Sequence, residues 1–212
     1  MGQVIQHRKK INRDNKGSAL VTVIVAAVFL AAVVTILLFV TAKNYKARQS
    51  DYLSKQNFYE AEKTLDELKT VFIEDCSTAC SEAYIETLNN YINLSPLERQ
   101  ELYYKEFIES AKEIWEERSN GALLDTVKST LSTDLQKNVE SVGEIEYNEE
   151  EGYYLLKDVV VSCTTIDGYY SRIKSGIKVT APSIDWGNGT TNEEEREILV
   201  EEYVIYSDWQ RD

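Results

Sequence analysis

The sequence holds a single histidine, His7, and it lies in the N-terminal stretch, outside any region with a foldable pattern. Histidine-built metal centres, Ser–His triads and Cys–His dyads are thereby excluded from a folded domain. Cysteine is also scarce. Cys76, Cys80 and Cys163 fall short of the four ligands of a structural zinc site. Two prolines and nine glycines in 212 residues exclude a linker or a low-complexity chain. Basic residues are outnumbered, 23 to 36, and the formal net charge of −13 argues against nucleic acid as a partner, because phosphate binding needs a basic face. What remains is 43% hydrophobic, enough for one packed domain of ordinary size.

These averages hide three environments. Residues 1–17 hold five basic side chains (Arg8, Lys9, Lys10, Arg13, Lys16) against one acid, Asp14. Ala19–Ala42 carries no charge at all, and its only polar members are Thr22, Thr35 and Thr41. From residue 49 onward 15 basic residues face 35 acidic ones. As a helix, the uncharged run measures about 36 Å, sufficient to cross a ~30 Å hydrocarbon core. Threonine hydroxyls bond back to helix carbonyls and do not spoil insertion. The basic cluster ahead of the run favours a cytoplasmic N-terminus, although Lys43, Lys46 and Arg48 beyond it weaken that bias. A cleavable secretory signal ending at Val40-Thr41-Ala42 is a weaker reading, because secretory apolar cores run only about 7–15 residues.

At the start of this run the sequence reads Lys16-Gly17-Ser18-Ala19-Leu20-Val21. A basic leader, a glycine at the apolar edge and an uninterrupted greasy helix resemble the class III signal of type IV pilins and pseudopilins. Further on, Gln49, Gln56-Asn57-Phe58 and Tyr59-Glu60-Ala61-Glu62-Lys63-Thr64-Leu65 are similar to the N-terminal region of PilX-type minor pilins. The resemblance covers residues 16–67. It implies cleavage between Gly17 and Ser18 by a prepilin peptidase, methylation of the new amino terminus, and assembly with other pilin subunits. It also implies a long N-terminal helix packed on an antiparallel sheet. Two positions depart from the pattern: Ser18 stands where Phe is usual, and Thr22 where a glutamate neutralises a neighbouring amino terminus. An unpaired buried ammonium is costly, so the resemblance implies a minor subunit and not the repeating one.

Beyond the membrane run, Phe58, Ala61, Leu65, Leu68 and Phe72 recur at 3-4 spacing and predict an amphipathic continuation of the helix over residues 43–73. A helical insert is expected over 74–140. Tyr84, Leu88 and Tyr91 share one helical face. Ser95-Pro96-Leu97-Glu98 reads as a capping box opening a helix that carries Tyr104, Phe107, Ile108, Ala111 and Trp115 up to Asn120-Gly121. Leu124, Val127, Leu131 and Leu135 mark another helix. Residues 141–212 read as an antiparallel head of about four strands. Tyr153–Ile166 and Tyr169–Ala181 flank Asp167-Gly168, the signal of a two-residue hairpin turn. That register places Cys163 opposite Arg172 and puts Leu156, Val160 and Ile166 on the apolar face with Tyr169, Ile173, Ile177 and Val179. Val142–Tyr147 and Leu199–Trp209 supply the outer strands, and 183–197 is a loop.

Sites of chemistry are few. Cys76 and Cys80, four apart, would share a helical face as small packed side chains or as a disulfide. Glu149-Glu150-Glu151 and Glu193-Glu194-Glu195 read as solvated turns. No carboxylate pair stands out as a glycosidase would need. The expectation is therefore an α+β, pilin-like protein with no catalytic residues, metal or cofactor. It comprises a leader (1–17), a single transmembrane helix (18–42), the continuation (43–73), the insert (74–140) and the sheet head (141–212). Processing falls on Gly17 and Ser18, and assembly on Leu20, Thr22, Val23, Phe29, Leu30 and Leu37. The head would lie outside the cell or, once assembled, on the filament. A single-span protein with a sensory or ligand-binding ectodomain is the alternative, and a membrane-tethered hydrolase the third reading.

Overall fold

The structure, a computed structural model, describes residues 14–119, 122–165, 168–186 and 199–211, with side chains from Ala19 onward. It divides into two compact units, Met1–Asp51 and Tyr52–Asp212. Helix α1 (Asp14–Asn89) supplies the described part of the first unit and continues as the first element of the second. In the first unit every residue from Ala19 to Gln49 is exposed. Its apolar side chains lie all around the helix, the pattern of a helix whose surroundings are not water.

In the second unit α1 is amphipathic. Ala61, Leu65, Leu68, Phe72, Cys76 and Ala79 form one fully buried stripe, and Ala83 extends it. The continuation expected to end at residue 73 therefore runs sixteen residues further. No proline or glycine interrupts it, and the 3-4 spacing of the stripe persists. Tyr84 and Leu88 belong to its last turns, where both are exposed, and Tyr91 begins a short 3₁₀ turn. They do not form a helix of their own.

The chain then turns into α2 (Pro96–Arg118) through the expected capping box: Glu98 N donates to Ser95 Oγ, and Ser95 N donates to Glu98 Oε2 at 2.8 Å. Tyr103, Phe107, Ile108, Ala111 and Trp115 are the buried face of α2. Two short helices, α3 (Leu123–Thr130) and α4 (Thr133–Gln136), follow and bury Val127, Leu131 and Leu135.

Five antiparallel strands make one sheet: β1 (Val139–Ser141), β2 (Ile145–Asn148), β3 (Tyr153–Thr164), β4 (Tyr170–Thr180) and β5 (Val204–Arg211). Their order is β1-β3-β4-β5, with β2 also paired to β3. The single outer strand expected over Val142–Tyr147 is thus two short ones on the same edge of β3. Gly143 sits at the break, and a Cβ there would lie 2.9 Å from the Lys157 carbonyl oxygen. The other expected outer strand begins later: Val200–Tyr203 form a 3₁₀ turn before β5.

Two register expectations are corrected. Thr165 N donates to Tyr169 O, Thr164 pairs with Tyr170 and Cys163 with Ser171, so Cys163 does not oppose Arg172. The hairpin loop has three residues with Gly168 in the left-handed region (φ 81°), the three-residue form of this turn. Ile166 and Asp167 lie outside the described residues. In β3, a bulge between Leu156 and Val159 puts Asp158 at φ 53° and reverses the alternation. Val159 and Val161, not Val160, therefore join Tyr154 and Leu156 in the core against α1. On β4 the alternation is as expected, with Ile173, Ile177 and Val179 inside. Residues 187–198, including Glu193-Glu194-Glu195, also lie outside the described residues, whereas Glu149-Glu150-Glu151 form the exposed turn between β2 and β3.

Candidate functional site: the apolar helix and the thiol pair

Two places in the molecule carry the residues singled out from the sequence. Gly17 and Ser18 fall within the backbone of α1. Among the described residues α1 is the one helix long and apolar enough to cross a membrane. The large apolar side chains between Leu20 and Val40 are 36% to 67% exposed. By helical spacing Leu20, Val23, Leu30 and Leu37 share one side of the helix, and Phe29 lies away from them. Thr22 is exposed among them. Thr35 and Thr41 donate to the carbonyls of Ala31 and Leu37, each at 2.8 Å, which satisfies their hydroxyls within the helix. Among the described residues nothing in the first unit covers this surface. Leaving so many leucine, valine and phenylalanine side chains in water forfeits about 1.5–3 kcal/mol apiece, which makes an apolar surrounding the state that this segment demands.

The second place is in the head. One turn of α1 sets Cys76 above Cys80, and their Sγ atoms lie 3.8 Å apart, both as free thiols. Cys76 is fully buried; Cys80 is half-buried and forms part of the wall of a hollow of about 390 Å³. Ser77, Ser81, Tyr84, Tyr103, Pro182 and Ile184 line the same hollow. Tyr84 stacks on Trp186 with ring centroids 5.7 Å apart, and Tyr103 meets the same indole edge-on at 5.8 Å. The two thiols share a hydrogen bond with opposite consequences. Either sulfur can donate in it; the enclosed Cys76 is the one held protonated, by this bond first and by burial next. Cys80 is drawn below the ordinary thiol range by the same bond, against its own desolvation, with the Tyr103 hydroxyl as a second donor. A thiolate at this position faces the hollow.

Cys163, by contrast, is buried on β3, and desolvation raises its thiol to about 11. It opposes Ser171 and shares nothing with the other two cysteines. Near the pair, Asp75 is buried and receives both Nη atoms of Arg118 at 2.5 Å. Its carboxyl nonetheless sits above the ordinary range, because desolvation outweighs the guanidinium. Among the described residues no group of three or more His, Cys, Asp or Glu side chains converges.

Sequence reasoning found the thiol pair but not its surroundings. Tyr103 reaches Cys80 from α2, and Arg118 reaches Asp75 across 43 positions, so no local spacing announces either. A buried aspartate on the apolar stripe of α1, one residue before Cys76, was the one available hint of a distant cation. Comparison of the chain with family models, curated proteins and solved structures gives no significant match.

Proposed function

We propose that this chain is a structural, pilin-like membrane subunit, of the minor pilin or pseudopilin kind, in a type IV filament or related secretion machine. The observation that carries the reading is the division of labour within α1: apolar and bare on all sides over Leu20–Val40, then amphipathic and packed on an antiparallel sheet from Ala61. A plain membrane anchor needs only the first of these properties. A basic leader ending in Gly17-Ser18 supports the same reading.

In this proposal the N-terminus faces the cytoplasm, the helix spans the membrane once, and a prepilin peptidase cuts between Gly17 and Ser18. The Leu20–Val40 surface, including Thr22, Val23, Phe29, Leu30 and Leu37, then passes from lipid to the helices of other pilin subunits. The acidic head stays outside, and neither nucleic acid nor bond chemistry is involved. Thr22 cannot neutralise a neighbour's amino terminus as a carboxylate would, which suits a priming or tip-proximal subunit.

The decisive measurement is the mature N-terminus of protein taken from native membranes, by intact mass and N-terminal sequencing. The expected start is Ser18, and Gly17→Val should abolish that cut while leaving insertion intact. A start at Met1 or Gly2 identifies an uncut anchor and a single-span ectodomain protein. A start at Lys43 identifies a secreted one. Either refutes the proposal.

A further inference from the structure

The thiol pair has a geometry that separates two fates commonly open to neighbouring cysteines. Residues four apart on a helix hold their Cβ atoms about 5–6 Å from one another. A disulfide needs them about 3.8 Å apart. With their Sγ atoms at 3.8 Å, Cys76 and Cys80 are close enough for a thiol hydrogen bond and too far apart to join without deforming α1 in the middle of its buried stripe. Only one of them has a way out. Cys76 is enclosed, whereas Cys80 opens on the hollow beneath Tyr84 and Tyr103.

We propose that Cys80 is a modification site, at which the hollow admits a small neutral or cationic disulfide and the sulfur takes up one half of it as a mixed disulfide. Cys76 acts as a fixed hydrogen-bond donor to the attacking sulfur and does not resolve the adduct. In the step, the Cys80 thiolate attacks one sulfur of R–S–S–R. A new Cys80–S–S–R bond forms, the reagent's S–S bond breaks, and the leaving thiolate carries off the electron pair and takes a proton from water. Cys80 is oxidised and the reagent is reduced to one thiol. The hollow's walls are mainly aromatic and aliphatic, with the hydroxyls of Ser77 and Ser81 as polar contacts, which suits a short side arm. The excess of 35 acidic over 15 basic residues from position 49 onward disfavours approach of an anionic disulfide. The lowered thiol of Cys80 agrees with this assignment, since exchange proceeds through the thiolate.

The test treats the full-length chain in detergent micelles, at neutral pH, with cystamine, a small dicationic disulfide, followed by intact mass and peptide mapping. One cysteamine adduct is expected, on Cys80, and Cys80→Ser should remain unmodified. Cys76→Ala should slow the reaction about fivefold by removing the donor that favours the thiolate. Glutathione disulfide, which is anionic, should react more slowly than cystamine. A product two hydrogens lighter and free of adduct would show that the pair closes on itself and would overturn the assignment. An adduct on Cys163, or no reaction under conditions that modify the urea-unfolded chain, would overturn it too. Because the map is read on the wild type, the outcome does not depend on either variant folding.

Discussion

Replacing Arg118 by methionine isolates what the guanidinium does for Asp75. The Met side chain retains an apolar stem beside Trp115, over whose ring the guanidinium lies at 5.5 Å, and removes both charge-assisted hydrogen bonds. The carboxylate left behind is only 3% exposed. Stripping one partner from a buried pair costs about 3–5 kcal/mol. Since the Arg118 side chain is 34% exposed, solvent already screens part of the interaction, and about 3 kcal/mol is the appropriate figure. Without the guanidinium the folded pKa of Asp75 rises further. Its folded pKa is already raised, so the folded state holds the proton more tightly than the unfolded chain, and stability falls as pH rises through the window between the two values. The variant widens that window. Urea unfolding of the full chain in detergent, followed by tryptophan fluorescence, should therefore show the gap between wild type and Arg118→Met opening from under about 1 kcal/mol near pH 4 to about 3 kcal/mol at pH 7. Asp75→Asn, which removes the buried charge and leaves a half-exposed cation to water, should cost less than Arg118→Met at pH 7. A gap independent of pH would mean that lost packing, not an orphaned carboxylate, is responsible, and the electrostatic reasoning would fail.

Other substitutions probe the fold at separate points. Phe72→Ala removes a ring 4.9 Å from Trp115 and 5.9 Å from Tyr154 in the centre of the core, and should cost about 3–5 kcal/mol by the same urea assay. Ser95→Ala breaks the capping box of α2 and should cost about 1 kcal/mol, with retained helicity by circular dichroism. Gly152→Ala meets two obstacles, a φ of +63° and a Tyr104 ring carbon 2.4 Å from the new Cβ. Gly168→Ala meets only the first, at φ +81° with open space around it, and should cost about 1–2 kcal/mol. Gly152→Ala should exceed it, and equal unfolding midpoints for the two would refute the steric argument.

What could be read from the sequence was what local spacing encodes. The apolar run, the stripe from Ala61 to Phe72, the capping box at Ser95 and the alternation of β4 all follow from side chains a few positions apart, and each appears in the structure. The misplacements arise where backbone exceptions intervene. A single extra residue at Asp158 reverses the facing of Val159, Val160 and Val161, and no propensity marks an aspartate as the bulge. The hairpin loop differs by one residue from the expected turn, because Gly168 serves a three-residue loop as readily as a two-residue one. Gly143 divides one expected strand in two through its approach to Lys157, a neighbour fourteen positions away. The thiol pair was legible for the same reason as the helices, being a matter of i and i+4. Its hydrogen-bond donor and its hollow were not, since they are assembled from α2 and from the residues after β4.

One feature of the second unit has a mechanical meaning. From residue 57 to residue 82, α1 is tied to its surroundings by a succession of polar contacts. Asn57 Nδ2 donates to the Tyr169 carbonyl at 2.7 Å, Asn138 Nδ2 to Thr64 Oγ1 at 3.0 Å, and the Tyr206 hydroxyl to Asp66 at 2.6 Å. Glu67 accepts from the backbone N–H and hydroxyl of Ser132, Asp75 from Arg118, and Glu82 from the Ser110 hydroxyl. These ties span about 38 Å of helix, and their far ends lie just ahead of β4, on β5, on α2 and on the segments around α4. A tensile load applied along the axis of α1 would meet them together, in shear, and would have to break them as a set before the helix could slip from the sheet. A load that peeled the helix away sideways would meet them one after another. The second unit thus yields least to a pull along the axis of α1 and most readily to one across it.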